Sequence, residues 1–402
     1  MAMALEGIRV VDFSIGQLGP VATMMLADMG ADVIKLEEPV SGDPGRYLHS
    51  IMGVNVALNF YFENNNRNKR SVTVDLKTRA GKDIVYRLVE KADVFATNYR
   101  RSALARLGME YQTLSGHNPK LIYAVGCGFG KKGADSDKPA LDLAAQARGG
   151  IMSIVGEPGQ PPSPVGVGLA DQIGAGLLAY GIMLALFARE RTGRGQEVDV
   201  SLLGGQAWLG SLALQEYLFY GKELGPLGKV SRREVRNPLW NTYRARDGKW
   251  LCLSMLVSEP YWPDFCKAMG LEALENDSRF ESHAAREENA RELIALLDEL
   301  FATATRDEWA KRLGRRELIW EPVKDYGEVA ADPQMQENEY IVDFDHPVYG
   351  PVKEVGLPVQ LGQTPGKIRR PAPELGQHTE EVLLEAGYSW EEIARLREEK
   401  VI

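Results

Sequence analysis

The chain is poor in the residues that announce several common chemistries. Three cysteines, Cys127, Cys252 and Cys266, stand in 402 residues without paired spacing, so neither a disulfide framework nor a zinc pattern is expected. That scarcity fits a reducing, cytoplasmic setting. The five histidines show no i, i+4 pair, and HExxH and G-x-S-x-G are both absent, so no metalloprotease or serine-hydrolase signature exists. Positive charge is short: the net value of −9 argues against a nucleic-acid partner, whose footprint would be basic. The opening MAMALEGIRVVDF lacks the basic start, apolar run and small-residue cleavage site of a signal peptide. The most apolar stretch, Ile173–Ala188, reads as a buried helix, shorter than a membrane span. No metal cluster, internal repeat or low-complexity tract is visible. The expected partners are therefore small molecules, with no nucleic acid, membrane or metal.

What is present is an alternation. Ile8–Phe13, Ala31–Leu36, Ser71–Lys77, Asp93–Asn98 and Leu121–Gly126 read as strands, and helical segments over Val21–Met29, Thr78–Lys91 and Ser102–Leu107 separate them. Strands alternating with helices predict βαβ units and a mostly parallel sheet, hence an α/β fold. Such sheets bind ligands beyond the carboxyl ends of their strands, where Gln17, Lys77 and Asn98 fall. Trp208–Tyr220 reads as one apolar helix, and Gly221–Arg236 as a linker. A hairpin over Asn241–Leu256 turns at Asp247-Gly248. The division expected is a large domain over 1–224, a smaller α+β domain over 225–330, and a segment over 331–402 returning to the large domain.

Three features carry chemistry. Asp171 sits where a Gly/Pro loop becomes a long apolar helix, in PPSPVGVGLADQIGAG. A helix N-terminus favours an anion, so Asp171 reads either as an N-cap residue or as an ionised nucleophile. Gly128–Gly133 (GFGKKG) is formally G-x-G-x-x-G, but it runs into the Pro-broken ADSDKPALD instead of a helix, so a dinucleotide site is not expected. Its glycines more plausibly bring backbone N–H groups near a ligand. The basic run NNNRNKR (64–70) reads as a solvated loop or, with Lys69, Arg70 and Lys77 flanking one strand, as a seat for phosphates. Arg100, Arg101 and Arg106 add positive charge after the next strand.

Taken in order, LEGIRVVDFSIGQLGPVATMMLADMGADVIKLEEPVSGD, NKRSVTVDLKT, NYRRSALARLGMEYQTLSGHNPKLIYAVGCGFG, GLADQIGAG, TGRGQEVDVSLL and PELGQHTEEVLLEAG resemble the class III coenzyme A-transferases, a superfamily that includes α-methylacyl-CoA racemase. The resemblance spans most of the chain and is weakest over about 205–330. It implies a Rossmann-like large domain, a smaller domain, and two subunits interlinked like rings of a chain, as a homodimer or as a heteromer with a paralogue. It implies Asp171 as the nucleophile. It also implies coenzyme A contacts at Gln17, Leu18, Val74, Lys77, Asn98, Arg100, Arg106, Lys138 and Asp142. Gly128 and Gly130 are candidates for stabilising an oxyanion. Many members carry Arg where this chain has Glu38, and Arg46 is the candidate substitute. A Gly-rich loop typical of oxalate-using members is replaced by RNPLWNT (236–242), so oxalate is not the expected acceptor. The racemase's histidine corresponds to Leu141, so one base is missing and transfer is favoured over racemisation. The implied activity moves coenzyme A from a donor such as succinyl-CoA to a carboxylic acid. Racemisation, or a non-catalytic coenzyme A-binding subunit, are the alternatives.

Overall fold

The computed structural model describes residues 2–54, 56–222 and 227–402. The chain forms two compact units, the first from Met1–Met152, Pro164–Ser211 and Pro333–Ile402, the second from Ser153–Ser163 and Leu212–Asp332.

The first unit is built on a six-stranded sheet. Its strands are β1 (Arg9–Phe13), β2 (Asp32–Glu37), β3 (Arg70–Thr73), β4 (Val94–Thr97), β5 (Ile122–Cys127) and β6 (Glu197–Ser201), in the order β3-β2-β1-β4-β5-β6. Every pairing is parallel. Parallel sheets are buried on both faces, which is why β1, β2, β4 and β5 are rich in Val, Ile, Phe and Ala without strict alternation. One core holds Val11, Ile34, Val72, Phe95 and Tyr123; the other face holds Val10, Val33, Val94, Ala124, Leu178 and Ile182. Chain order reverses between β1 and β4, and crevices at such switch points are where open α/β sheets bind ligands.

Four expectations are corrected. β3 ends at Thr73, short of Lys77, because the Asp75 N–H is taken by the Val401 carbonyl at 2.7 Å. The long apolar helix runs over Leu169–Thr192, 24 residues, long and apolar enough to span a membrane. It is buried on one face only: Ala170, Gly174, Leu178 and Ile182 pack inward while Tyr180 and Phe187 are exposed. Trp208–Tyr220 is two helices, Leu202–Leu209 and Ser211–Tyr220, parted at Gly210.

The basic run is neither solvated nor open to phosphates. Arg67 bonds both Asp28 oxygens, Lys69 reaches Asp12 at 2.9 Å, and Arg70 bonds Asp32, Glu381 and Glu385. Lys69 and Asp12 are fully buried, where an unpaired charge would cost several kcal/mol. These cations are structural.

The second unit has a three-stranded antiparallel sheet of β7 (Trp240–Arg244), β8 (Trp250–Ser254) and β9 (Trp320–Pro322). The β7–β8 hairpin turns at Asp247-Gly248, with Gly248 at φ +80. Helices Trp262–Met269, Ala290–Phe301 and Arg306–Leu313 cover it around Tyr243, Phe265, Phe301 and Trp309. The last part of the first unit adds a hairpin, β10 (Ile341–His346) and β11 (Gly350–Val355), and helices Thr379–Glu385 and Trp390–Glu398.

Candidate active site

The loop after β1 is held from below by buried charge. The Lys35 ammonium donates to the Ser14 carbonyl at 2.8 Å and pairs with Asp43 at 2.8 Å. The other Asp43 oxygen accepts from the Gly16 N–H at 2.9 Å and the Gly45 N–H at 2.8 Å. Burial alone would depress Lys35, but Asp43, Asp12 and Glu37 outweigh it and hold the ammonium charged. Burial would likewise raise Asp12, yet Lys69 and Lys35 keep its carboxyl below the ordinary range. From across the switch point, Asn98 accepts from the Ile15 N–H at 2.9 Å and donates to the Ile15 carbonyl at 2.7 Å. The loop bearing Gln17 is thus fixed at four points, and Gln17 opens the helix Leu18–Asp28.

Asp171 is the third residue of the Leu169–Thr192 helix, whose N-cap is Gly168. The N-cap reading of Asp171 is therefore corrected. Asp142 does the capping from another helix, Asp142–Arg148: one of its oxygens accepts from the Ala170 N–H at 2.6 Å and the Asp171 N–H at 3.3 Å. Gln146, one turn on, donates to Asp142 and to the Gly166 carbonyl and accepts from the Val165 N–H. With its backbone N–H capped from outside, the Asp171 side chain has no capping work. Burial first, and then the Asp142 carboxylate, push the Asp171 carboxyl up to about 6. At pH 7 it is still about ten to one ionised, poorly solvated and hence a better nucleophile than a surface aspartate.

Gln17 meets this helix end. A Cβ on Gly168 would lie 2.6 Å from Gln17 Nε2, so the residue there must be glycine on space as well as on its φ of +83. Tyr61 completes the group. Burial, and then the carboxylates of Asp171 and Asp43, drive its hydroxyl well above the ordinary range. The sequence reading missed Tyr61, and only its position in the basic-run neighbourhood, on the helix Phe60–Asn66, signalled it.

The remaining expected contacts fall into three groups. Leu18 and Val74 are buried core side chains, so only their backbones can meet a ligand. Leu18 fills a slot between Gly126 and Gly174. Arg100 and Arg106 are exposed and both depress the Asp137 carboxyl, behind its bonds from Ser102. Lys138, 5.8 Å over the Phe129 ring, belongs to that same stretch of loop. Lys77 is exposed and electrostatically near Glu38, whose carboxylate is folded onto the backbone N–H groups of Ser41 and Val40. Arg46 is not the substitute phosphate contact: its guanidinium is doubly bonded to Glu37 at 2.7 and 2.8 Å and to the Pro373 carbonyl. Gly128 is glycine because Ala140 crowds it, a Cβ there meeting Ala140 Cβ at 2.4 Å. The Gly130 N–H faces the Cys127 thiol, whose pKa burial raises. Leu141 is 80% exposed and offers no base. The GFGKKG loop leads to no helix before Asp142.

Residues 5–379 match the family described as CoA-transferase family III. The chain is 32% identical, over the full length of both proteins, to (R)-2-hydroxy-4-methylpentanoate CoA-transferase of Clostridioides difficile. It is 34% identical, over 95% of each chain, to succinate–glutarate CoA-transferase of Agrobacterium fabrum. A CAIB/BAIF family protein from Brucella suis superposes with a TM-score of 0.85 at 29% identity, covering 96% of this chain and 100% of that one.

Proposed function

The chain belongs to CoA-transferase family III and is a CoA-transferase, and on that premise we propose that Asp171 carries coenzyme A between two carboxylic acids as a thioester. The observation that carries the reading is the Asp171 carboxylate itself: half-buried, raised to about 6, and relieved of capping by Asp142.

Asp171 attacks the carbonyl carbon of the donor acyl-CoA. The C–S bond breaks, giving a mixed anhydride and a thiolate. The thiolate attacks the aspartyl carbonyl, releasing the donor acid and leaving Asp171 as its coenzyme A thioester. The acceptor carboxylate then repeats these steps in reverse and frees Asp171. No proton is transferred at any step, so the route needs no histidine. Each addition passes through an oxyanion that requires preorganised donors. The Gln17 carboxamide, which meets Gly168 at the same helix end, and the Tyr61 hydroxyl, which feels the Asp171 charge, are the candidate donors. In the Gly128–Gly130 loop the Gly130 N–H would first have to leave the Cys127 thiol. Burial around Asp171 also keeps water from the acylated forms.

Coenzyme A would lie along the carboxyl ends of β3, β1, β4 and β5. Backbone groups at Leu18 and Val74 and the cations Lys77, Arg100, Arg106 and Lys138 supply its contacts. These four cations form no ion pair among the described residues, which suits them to its phosphates. Succinyl-CoA is the first donor to test, since a relative is named for succinate and glutarate. A cytoplasmic setting and an interlinked dimer complete the proposal.

The test is trapping. Incubation with succinyl-CoA followed by hydroxylamine should leave a hydroxamate on the peptide containing Asp171, read by mass spectrometry. Normal turnover by an Asp171→Ala variant would overturn the assignment.

A further inference from the structure

The helix that carries Tyr61, Phe60–Asn66, has seven residues, too few to hold its shape or its place unaided. What it packs against therefore decides where the Tyr61 hydroxyl stands. Tyr61 and Asn65 are one helical turn apart and share a face. Asn65 donates to the Gly16 carbonyl at 3.3 Å, and a Cβ on Gly16 would lie 3.8 Å from the Tyr61 hydroxyl, so this face meets the loop bearing Gln17. The hydroxyl itself makes no hydrogen bond among the described residues, which leaves its proton for a ligand.

Glu63 lies on the opposite face of this helix, and there the β10–β11 hairpin takes hold. The hairpin reaches the helix at three places. Ahead of it, the Tyr349 hydroxyl donates to the Ala57 carbonyl at 2.9 Å. In the middle, buried His346 faces Glu63: its Nδ1 accepts from the Val348 N–H at 3.1 Å and the Tyr349 N–H at 3.3 Å, which leaves the ring proton on Nε2, 3.7 Å from Glu63 Oε1. At the end, the C-cap residue Arg67 donates to the Val355 carbonyl at 2.6 Å. The Ala372 N–H adds a bond to the other Glu63 oxygen at 2.9 Å. One side of the helix thus touches the Gln17 loop, and the other is set by the hairpin.

We infer that the β10–β11 hairpin aims the Tyr61 hydroxyl at the oxyanion, with Tyr349 and His346 as positioning residues that act through the helix; the inference rests on the transferase reading of Asp171. The test is the rate at which succinyl-CoA and hydroxylamine place a hydroxamate on the Asp171 peptide of the full chain, followed over a range of succinyl-CoA concentrations. Tyr349 is exposed, and Tyr349→Phe deletes only its hydroxyl. His346→Asn keeps an acceptor for the turn N–H groups and withdraws the side chain from Glu63. Each should lower the maximal rate about fivefold, the worth of one hydrogen bond, and leave the half-saturating concentration unchanged. Tyr61→Phe should lower the rate about a hundredfold, as loss of an oxyanion donor does. In the Tyr61→Phe background, Tyr349→Phe should have no further effect, whereas a general loosening of the fold would slow both backgrounds alike. The inference is overturned if either hairpin variant reacts as wild type, if the Tyr349→Phe effect persists in the Tyr61→Phe background, or if Tyr61→Phe itself reacts as wild type. A wild type that forms no hydroxamate would instead defeat the Asp171 reading, so the two failures are told apart.

Discussion

Asp171→Asn should inactivate the enzyme and, above pH 6, stabilise it. The carboxyl is raised from 3.8 to about 6, burial being the larger cause and Asp142 the smaller. A carboxyl whose pKa is raised by folding binds its proton more tightly in the folded chain. Ionising it therefore lowers stability progressively as pH climbs from about 4 through 6. A shift of about two units is at most about 3 kcal/mol, and about 1–2 kcal/mol once partial solvent access is allowed for. The Asn variant carries no such ionisation. Any cost of placing an amide at this site is the same at every pH, so the informative quantity is the gap between variant and wild type at pH 7.5 minus the gap at pH 4. Urea unfolding at the two pH values, with reversibility checked at each, measures it. The gap should widen toward the variant by 1 kcal/mol or more at the higher pH. A gap that does not change with pH would mean that Asp171 is an ordinary solvated carboxylate, and the desolvated-nucleophile argument would fall.

Other outcomes follow from the same geometry. Asp142→Asn removes the neighbouring charge, so the acidic limb of kcat/KM, expected near pH 6 for wild type, should move to lower pH; an unmoved limb would detach that limb from Asp171. Lys69→Met strands Asp12 in the core and should cost about 3–5 kcal/mol in denaturant unfolding, as broken buried ion pairs do. Gly168→Ala combines a positive φ with a Cβ driven into Gln17. It should lower kcat more than it raises KM, with about 1–2 kcal/mol of destabilisation in thermal unfolding. Arg100→Ala/Arg106→Ala should raise KM for the acyl-CoA substrate and leave unfolding unchanged, because both side chains are exposed.

The parallel sheet was legible because strands buried on both faces must be continuous apolar runs, and IRVVDF, DVIKL and LIYAV are such runs. Strand order was not, since nothing local says that β4 lies beside β1. The basic run misled for a related reason. Its charges are cancelled by Asp12, Asp28, Asp32 and Glu385, up to 315 positions away, so composition showed the cations without their partners. Asp171 was legible from its loop-to-helix setting, whereas its release from capping depends on Asp142, 29 residues earlier, and its neighbour Tyr61 lies in a different supersecondary unit. β10 and β11 were missed because their alternation is short: IVDFDH offers only Val-Asp-Phe-Asp, GPVKEV is largely polar, and most of their inward positions are only half-buried.

The hydrogen bond from Asp75 to Val401, with the bonds from Arg70 to Glu381 and Glu385, has a consequence for biosynthesis. The edge strand of the sheet takes these partners from residues more than 300 positions downstream, so a ribosome must release that intervening stretch before the edge is closed. Until then the nascent β3 leaves backbone donors and the Arg70 charge unmatched, which makes the half-made chain a natural client for chaperones.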